Sequence, residues 1–171
     1  MPTYSPSPNY RLQGPYPLGI LLVNSGTPDA LTTPAVRNFL RQLLRDRRTI
    51  EVSRAIWCWI LYFIILPLRP IRVVPKYRRV FTDEGSPLLL ISRRLQQALQ
   101  THLSEVYGAP VAVELGMHYS TPSVAAGLAA LRERGAQRIV VLPLFPQYSG
   151  STAGAAFDQV GKALRDWRFL P

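Results

Sequence analysis

Two adjacent side chains with acid–base chemistry directly follow an apolar segment of the sequence. His118 and Tyr119 come after residues 111–117, in which apolar side chains alternate. A neutral imidazole can accept a proton or bind a metal ion, so His118 is a candidate catalytic residue. A single histidine can equally be structural. The only other histidine, His102, is interpreted as structural because it lies beside Leu103 late in a predicted helix.

A cluster of arginines is the second candidate. Arg45, Arg47 and Arg48 end a segment with helical apolar periodicity. Guanidinium groups bind carboxylates through two parallel hydrogen bonds, so this cluster could hold an acidic ligand. The alternative is a solvated helix end, where the cations offset the helix dipole.

Two loops have unusual compositions. Residues 24–29 read Asn-Ser-Gly-Thr-Pro-Asp, without GxGxxG or GxxxxGK[ST], so a nucleotide site is not expected. Gly26 would let the backbone approach a flat ligand, or it forms a plain strand-to-helix turn. Residues 143–152 contain two prolines, Tyr148 and several hydroxyl side chains that could cap a helix. The N–H groups of such a helix start would favour an anion.

The apolar pattern places these groups at the ends of strands. Buried strands are predicted at 18–23, 111–117 and 139–142, and helices are predicted to start at 33–34, 86–87, 121–122 and about 151. The last helix is predicted to end near 167. Alternating strands and helices indicate a doubly wound parallel sheet with helices on both faces. Ligands bind such sheets at the carboxyl ends of the strands, where the three loops should converge.

The most apolar segment, residues 55–68, is 14 residues long and contains four aromatic side chains. A membrane-spanning helix needs roughly 20 residues, so spanning is the least favoured interpretation. The segment could be a buried helix or a lip over a cleft. It could also lie in a membrane surface, with Arg54 and Arg69 reaching the headgroups.

The composition limits the class of protein. The 171 residues carry 20 Lys and Arg against 10 Asp and Glu, a formal net charge of +10, which points toward anionic partners. A single cysteine, Cys58, excludes a disulfide framework and suits a reducing compartment. The sequence contains neither HExxH nor GxSxG, so hydrolase chemistry has no support.

Six blocks of the sequence are together similar to one known family. They are LGILLVNSGTPDA (18–30), FLRQLLRDRR (39–48), ILPLR (65–69), EGSPLLLISRRLQQAL (84–99), LGMHYSTPS (115–123) and VVLPLFPQYSGSTAGA (140–155). In order and spacing they resemble the N-terminal half of bacterial ferrochelatases. The resemblance implies a chelatase-like fold of two similar doubly wound α/β halves with a porphyrin between them. This chain would be the first half, truncated before its fourth strand.

The resemblance also implies a function. The family inserts Fe²⁺ into protoporphyrin IX, the last step of haem synthesis, as a lyase-type metal chelatase. Its catalytic histidine lies in a Ser-x-His-[Gly/Ser]-x-Pro motif of the second half, which these 171 residues lack, and a metal-binding glutamate lies further on. The chain is therefore expected to be a fragment that is inactive alone. No cofactor is expected, since iron is a substrate.

Site residues follow from the same resemblance. His118 and Tyr119 would be the catalytic candidates of this half, facing the porphyrin. Porphyrin-binding residues would be the cleft-floor turn Gly26, Thr27 and Pro28, the propionate-binding Arg45, Arg47 and Arg48, Trp57 in an apolar lip, and Ser86, Met117 and Tyr148 in the pocket.

The predicted organisation is a flexible leader, 1–17, and an incomplete α/β domain, 18–171, with an aromatic and basic lip insertion at 49–85. The expected partners are protoporphyrin IX and Fe²⁺, with peripheral membrane contact through 54–79 and no nucleic acid. A cytoplasmic location, at the periphery of the inner membrane, is expected. The alternatives are a non-catalytic tetrapyrrole- or haem-binding module and a peripheral membrane module.

Overall fold

Three apolar segments form a parallel sheet in the computed structural model, which describes residues 17–171. The strands are β1 (Leu18–Asn24), β2 (Ala112–Met117) and β3 (Arg138–Pro143), in the order β2-β1-β3. Leu21 of the central strand lies opposite Glu114 of β2 and Val141 of β3. The predicted parallel α/β class is therefore confirmed. The predicted leader, 1–17, lies outside the described residues apart from Pro17, whose carbonyl accepts hydrogen bonds from two backbone N–H groups at the start of β3.

Helices connect the strands. They are α1 (Thr33–Arg45), α2 (Arg54–Ile60), α3 (Leu66–Arg78), α4 (Pro87–Tyr107), α5 (Val124–Glu133) and α6 (Ala155–Leu164), with π-helical turns at Leu61–Ile65 and Gly150–Gly154. Two begin at hydroxyl caps, because Thr32 accepts a hydrogen bond from the Ala35 N–H and Ser123 accepts one from the Ala126 N–H.

The last helix differs from the prediction at both ends. Residues predicted to form its first turn instead make a π-helical turn, in which Ser149 and Thr152 cap each other's backbone N–H groups. The regular helix starts at Ala155 and ends at Leu164, three residues before the predicted end. Hydroxyl groups that bond the local backbone compete with regular helix at such positions.

Helices cover both faces of the central strand. Leu21 and Val23 pack with α5 and α6 on one face, while Ile20 and Leu22 pack with α4 on the other. This arrangement leaves β1 buried on both sides, as a continuous apolar run in a parallel sheet requires.

The prediction that the third strand is buried is wrong. Ile139 and Val141 pack toward α5 and α6, but Val140 and Leu142 on the other face are 50% and 44% exposed. The reason is topological. β3 is an edge strand among the described residues, and α4 lies over β1 and β2.

The aromatic segment is part of a longer helix than its apolar run indicated. From Arg54 to Arg78, 25 residues are continuously helical, and the most apolar 18-residue window of this helix has a mean hydropathy of 1.6. The π-helical turn precedes Pro67, which has no N–H to donate and clashes with a regular preceding turn. One side of this helix packs on α1 around Leu61 and Leu66, so it borders the sheet domain without entering its core.

Close packing between α5 and the sheet generates a stability prediction. A Cβ at Gly127 would lie 2.6 Å from Leu21 Cδ1 and 2.9 Å from the Leu115 carbonyl oxygen. Because a backbone oxygen cannot move aside cheaply, Gly127→Ala is expected to lower the free energy of unfolding by about 1–3 kcal/mol, measured by urea denaturation.

The matched control is a glycine on α6 with open space around it. A Cβ at Gly161 meets nothing within 4 Å, so Gly161→Ala is expected to raise the free energy of unfolding by about 0.5–1 kcal/mol. Equal stability gains in the two variants would contradict the packing described here.

Candidate functional site

The loops that follow the three strands meet at one edge of the sheet. The His118 N–H donates to the Asn24 carbonyl over 2.9 Å, and the Tyr119 N–H donates to the Ser25 carbonyl over 3.2 Å. On the other side, the Leu144 N–H donates to the Val23 carbonyl over 2.7 Å. The convergence predicted from the alternation of strands and helices is therefore confirmed.

Gly26 allows the first loop to pack against the second. Its φ of +96° lies in the left-handed region, and a Cβ there would sit within van der Waals overlap of Ser120 Oγ. The same hydroxyl accepts a hydrogen bond from the Thr27 N–H at 3.1 Å. The turn thus supports the loop that carries His118.

A cavity of about 770 Å³ opens beside this edge. Its walls come from the C-terminal half of α1, the start of α2, the His118 loop and α6. Its volume falls within the usual range for small-molecule sites, about 300–1,000 Å³. Five cationic residues and two carboxylates line it: Arg41, Arg45, Arg47, Arg54, Lys162, Asp46 and Asp158. An anionic ligand would fit this excess of positive charge.

His118 lies in the wall of the cavity as a buried, unpaired imidazole. The residue is only 6% exposed, and neither ring nitrogen has a hydrogen-bond partner among the described residues. The rings of Tyr119 and Phe145 cover it, with centroid distances of 5.4 and 5.9 Å. Burial lowers the pKa of His118, and the negative charge of Asp46 offsets this only in part. The imidazole is thus neutral near pH 7, with one donor and one acceptor unused.

The neighbouring Tyr119 is held in its protonated form. Its hydroxyl donates to Asp46 Oδ2 over 2.8 Å and lies 3.5 Å from Thr49 Oγ1. Burial raises the pKa of Tyr119 to about 12. The Arg48 N–H donates to the second oxygen of Asp46, Oδ1, at 2.8 Å, so one carboxylate ties the loop after α1 to the end of β2.

Arg48 is not part of a solvated helix end. Its Nε lies 2.5 Å from Asp158 Oδ2, and its Nη2 lies 2.8 Å from Oδ1, in a two-point ion pair with α6. Hydrogen bonding to Asp158 raises the pKa of Arg48, and the same bond lowers the pKa of Asp158. Arg45 and Arg47 line the cavity beside it.

The other predicted site residues lie around the cavity or beneath it. The Trp57 indole N–H donates to the Leu44 carbonyl over 2.7 Å, which docks α2 on α1. Tyr148 is 72% exposed, and its hydroxyl lies near Gly154 together with the Arg48 guanidinium. Four are buried and absent from the cavity lining: Thr27, Pro28, Ser86 and Met117, the last within the apolar cluster under α4.

Several cavity residues carried no prediction as binding groups. Arg41 lies four residues before Arg45 on α1, so helical periodicity could have placed both on one face. Asp158 is 110 residues from its partner Arg48, and no local sequence signal connects them. Within residues 17–171, no group of three or more His, Cys, Asp or Glu side chains is arranged to hold a metal ion.

The fold and this site define a parallel α/β domain with a cationic cavity at the carboxyl ends of its strands, next to a buried histidine. The ferrochelatase family model matches residues 17–171, so the chain belongs to the ferrochelatase family.

Individual relatives agree with this assignment. A ferrochelatase of Thioalkalivibrio sulfidiphilus is 53% identical over 163 residues, which cover 95% of this chain and 44% of that protein. A ferrochelatase of Aeromonas hydrophila is 48% identical over 153 residues (90% and 47%), and one of Photobacterium profundum is 44% identical over 153 residues (90% and 46%). The chain therefore spans about half the length of the curated relatives it matches.

The lowered pKa of His118 predicts how stability depends on pH. The unfolded chain binds a proton near the ordinary value of about 6.5, whereas the folded chain binds it only at lower pH. The free energy of unfolding should therefore fall as pH drops from 7.5 to 5.5, by at most about 1.4 kcal/mol per pH unit for one proton. Urea denaturation at several pH values measures this slope.

Two variants test whether His118 causes this pH dependence of the free energy of unfolding. His118→Phe is expected to flatten it, because the titrating group is gone. His102→Asn replaces the exposed histidine on α4 and is the matched control. A slope that persists in His118→Phe would show that another group is responsible.

Proposed function

We propose that this chain is the porphyrin-binding first half of a ferrochelatase, which inserts Fe²⁺ into protoporphyrin IX in the last step of haem synthesis. One observation carries the proposal: a cationic cavity at the strand ends combines Arg45 and Arg47 with His118, in a chain of the ferrochelatase family. The ferrochelatase that contains this half would act in the cytoplasm as a lyase-type metal chelatase.

The cationic wall suits the two propionate groups of the substrate. Guanidinium groups recognise carboxylates by paired, charge-assisted hydrogen bonds, and Arg45 and Arg47 line the same cavity as His118. Trp57 and the apolar helix that follows, which begins beside the cavity at Arg54, would provide an apolar side for the macrocycle. These contacts lie away from the pyrrole nitrogens, so they can supply the roughly 1–5 kcal/mol that distorts a flat ring.

Metal insertion exchanges two pyrrole protons for one Fe²⁺, so a base must accept protons. His118 is suited to such a role because its imidazole is neutral and has no partner among the described residues. The resemblance of the chain to the family assigns the principal base and a metal-binding glutamate to the second half of a ferrochelatase. The 171-residue chain alone is therefore expected to bind porphyrin without forming a metalloporphyrin.

Porphyrin binding is measured by quenching of tryptophan fluorescence on titration with protoporphyrin IX. Replacing both Arg45 and Arg47 with alanine should weaken binding about tenfold or more, because two charge-assisted contacts are lost. Arg93→Ala, an exposed arginine on α4 outside the cavity, is the control and should bind like the wild type. Equal affinity of all three proteins would contradict the proposed propionate contacts.

A non-catalytic tetrapyrrole- or haem-binding module is the alternative within the same site. The second half of the Thioalkalivibrio relative, added as a separate polypeptide, distinguishes the two. Metalloporphyrin formation by the mixture favours the chelatase. Porphyrin binding with no metal insertion under any such condition favours the binding module.

A second function, contact with a membrane surface, is favoured by one specific observation. Only 17% of the most apolar window of the Arg54–Arg78 helix is buried, and large apolar side chains on it face solvent. They include Ile56, Trp59, Phe63, Leu68 and Ile71. An apolar patch flanked by arginines is typical of helices that lie in the interfacial region of a bilayer.

Liposome pelleting tests this contact. Replacing Trp59 and Phe63, which stack on each other, with glutamate should abolish binding to vesicles that contain anionic lipid. Val106→Glu, a similarly exposed apolar residue on α4, is the control and should still bind. Because the net charge is +10, binding should also weaken at high salt. Unchanged pelleting of the double variant would exclude this helix as the contact.

A further inference from the structure

Arg48 forms a two-point ion pair with Asp158, a residue that lines the cavity. Two oxygens of Asp158 face two nitrogens of Arg48, at 2.5 and 2.8 Å. This parallel two-point geometry is the one by which arginine recognises the carboxylates of ligands. Arg48 follows Arg45 and Arg47 in the same basic segment, and among the described residues it is the one of the three that forms an ion pair.

Asp158 lies in the wall of the cavity itself. It is on the first turns of α6, together with Phe157 and Lys162, which also line the cavity. The Arg48 guanidinium rests over Gly154, where a Cβ would come within 3.0 Å of Nη1 and 3.3 Å of the Tyr148 hydroxyl. A dicarboxylic ligand in this cavity would therefore meet an arginine that is already neutralised and a carboxylate that repels it.

The pair can also be displaced. Both side chains are partly exposed, Arg48 at 40% and Asp158 at 57%, and ion pairs in contact with water are weak. When a ligand carboxylate takes the place of the Asp158 carboxylate, Arg48 exchanges one ion-pair partner for another. The Asp158 side chain then rotates into the solvent. Neither step leaves a buried charge unpaired, so the exchange has no large barrier of desolvation.

We propose that Asp158 is a specificity-determining residue that occupies Arg48 until a carboxylate of the ligand displaces it. The proposal rests on the proposed function only in taking the ligand to be a dicarboxylic tetrapyrrole. Its consequence is selective. A ligand with free carboxylates breaks the Arg48–Asp158 ion pair and forms a new ion pair with Arg48. An esterified ligand of the same shape cannot form that new ion pair, so Arg48 stays bound to Asp158.

The test compares two ligands and two variants. Binding of protoporphyrin IX and of its dimethyl ester is measured by tryptophan quenching for the wild type, Asp158→Asn and Asp166→Asn. The last variant makes the same charge change at an exposed ion pair with Arg165, outside the cavity. Asp158→Asn is expected to bind the free acid about tenfold more tightly, as one charge-assisted contact becomes available, and the ester within twofold of the wild type. Asp166→Asn should match the wild type with both ligands.

An Arg48→Ala background separates release of Arg48 from simple loss of negative charge. In that background Asp158→Asn should improve binding of the free acid by less than twofold, because no guanidinium remains to be released. Asp158→Ser, with thermal unfolding as a check on folding, repeats the measurement with a smaller side chain and should give the same gain as Asp158→Asn.

Free-acid affinity that stays the same or falls in both Asp158 variants overturns the proposal, and so does an equal gain in the Arg48→Ala background. In either case, wild-type porphyrin binding leaves the proposed function standing. If no protein binds either porphyrin, both proposals fail. If only the Asp158 variants bind the free acid, displacement is supported in its strongest form.

Discussion

Parallel pairing of β1 with both of its neighbours is the constraint on which the site depends. Because β1 is hydrogen-bonded to β2 on one side and β3 on the other, all three strands end at the same edge. The loops beyond them are then joined by backbone hydrogen bonds from His118, Tyr119 and Leu144 back to the end of β1. Residues far apart in sequence are thus held in one wall, and their positions are fixed by the ladder of the sheet.

The site contains both polar groups that are hydrogen-bonded to each other and a buried polar group that has no partner among the described residues. Tyr119 and Asp46 satisfy each other by a hydrogen bond, which fixes the loop after α1 against the strand end. His118, their neighbour, is buried with no partner on either nitrogen among the described residues. Leaving a buried polar group unpaired costs about 1–3 kcal/mol, and such groups are concentrated where a ligand completes the bonding. The contrast between the two residues makes His118 the one of the pair that is available to a ligand.

The sequence was most informative where one periodic pattern decided the structure. The apolar run of β1 and the helical periodicity of α1 led to the correct class of fold and to the sheet edge where the loops converge, because burial imposes those patterns directly. The sequence was less informative about solvent exposure. Val140 and Val141 are the same residue type in one apolar run, and only the position of β3 at the edge of the sheet explains why Val140 is the more exposed. The Asp158 pairing could not be found at all, since an ion pair across 110 residues has no local signature.

The most direct test of the central claim uses the two histidines of the chain as reporters. Manganese(III) protoporphyrin is paramagnetic and broadens the NMR signals of nearby protons, and the imidazole resonances of His118 and His102 can be followed together. If the carboxyl edge of the sheet holds the tetrapyrrole, the His118 signal disappears on titration while that of His102, exposed on α4, remains sharp. A sharp His118 signal at saturating porphyrin, or equal broadening of both, would contradict the account.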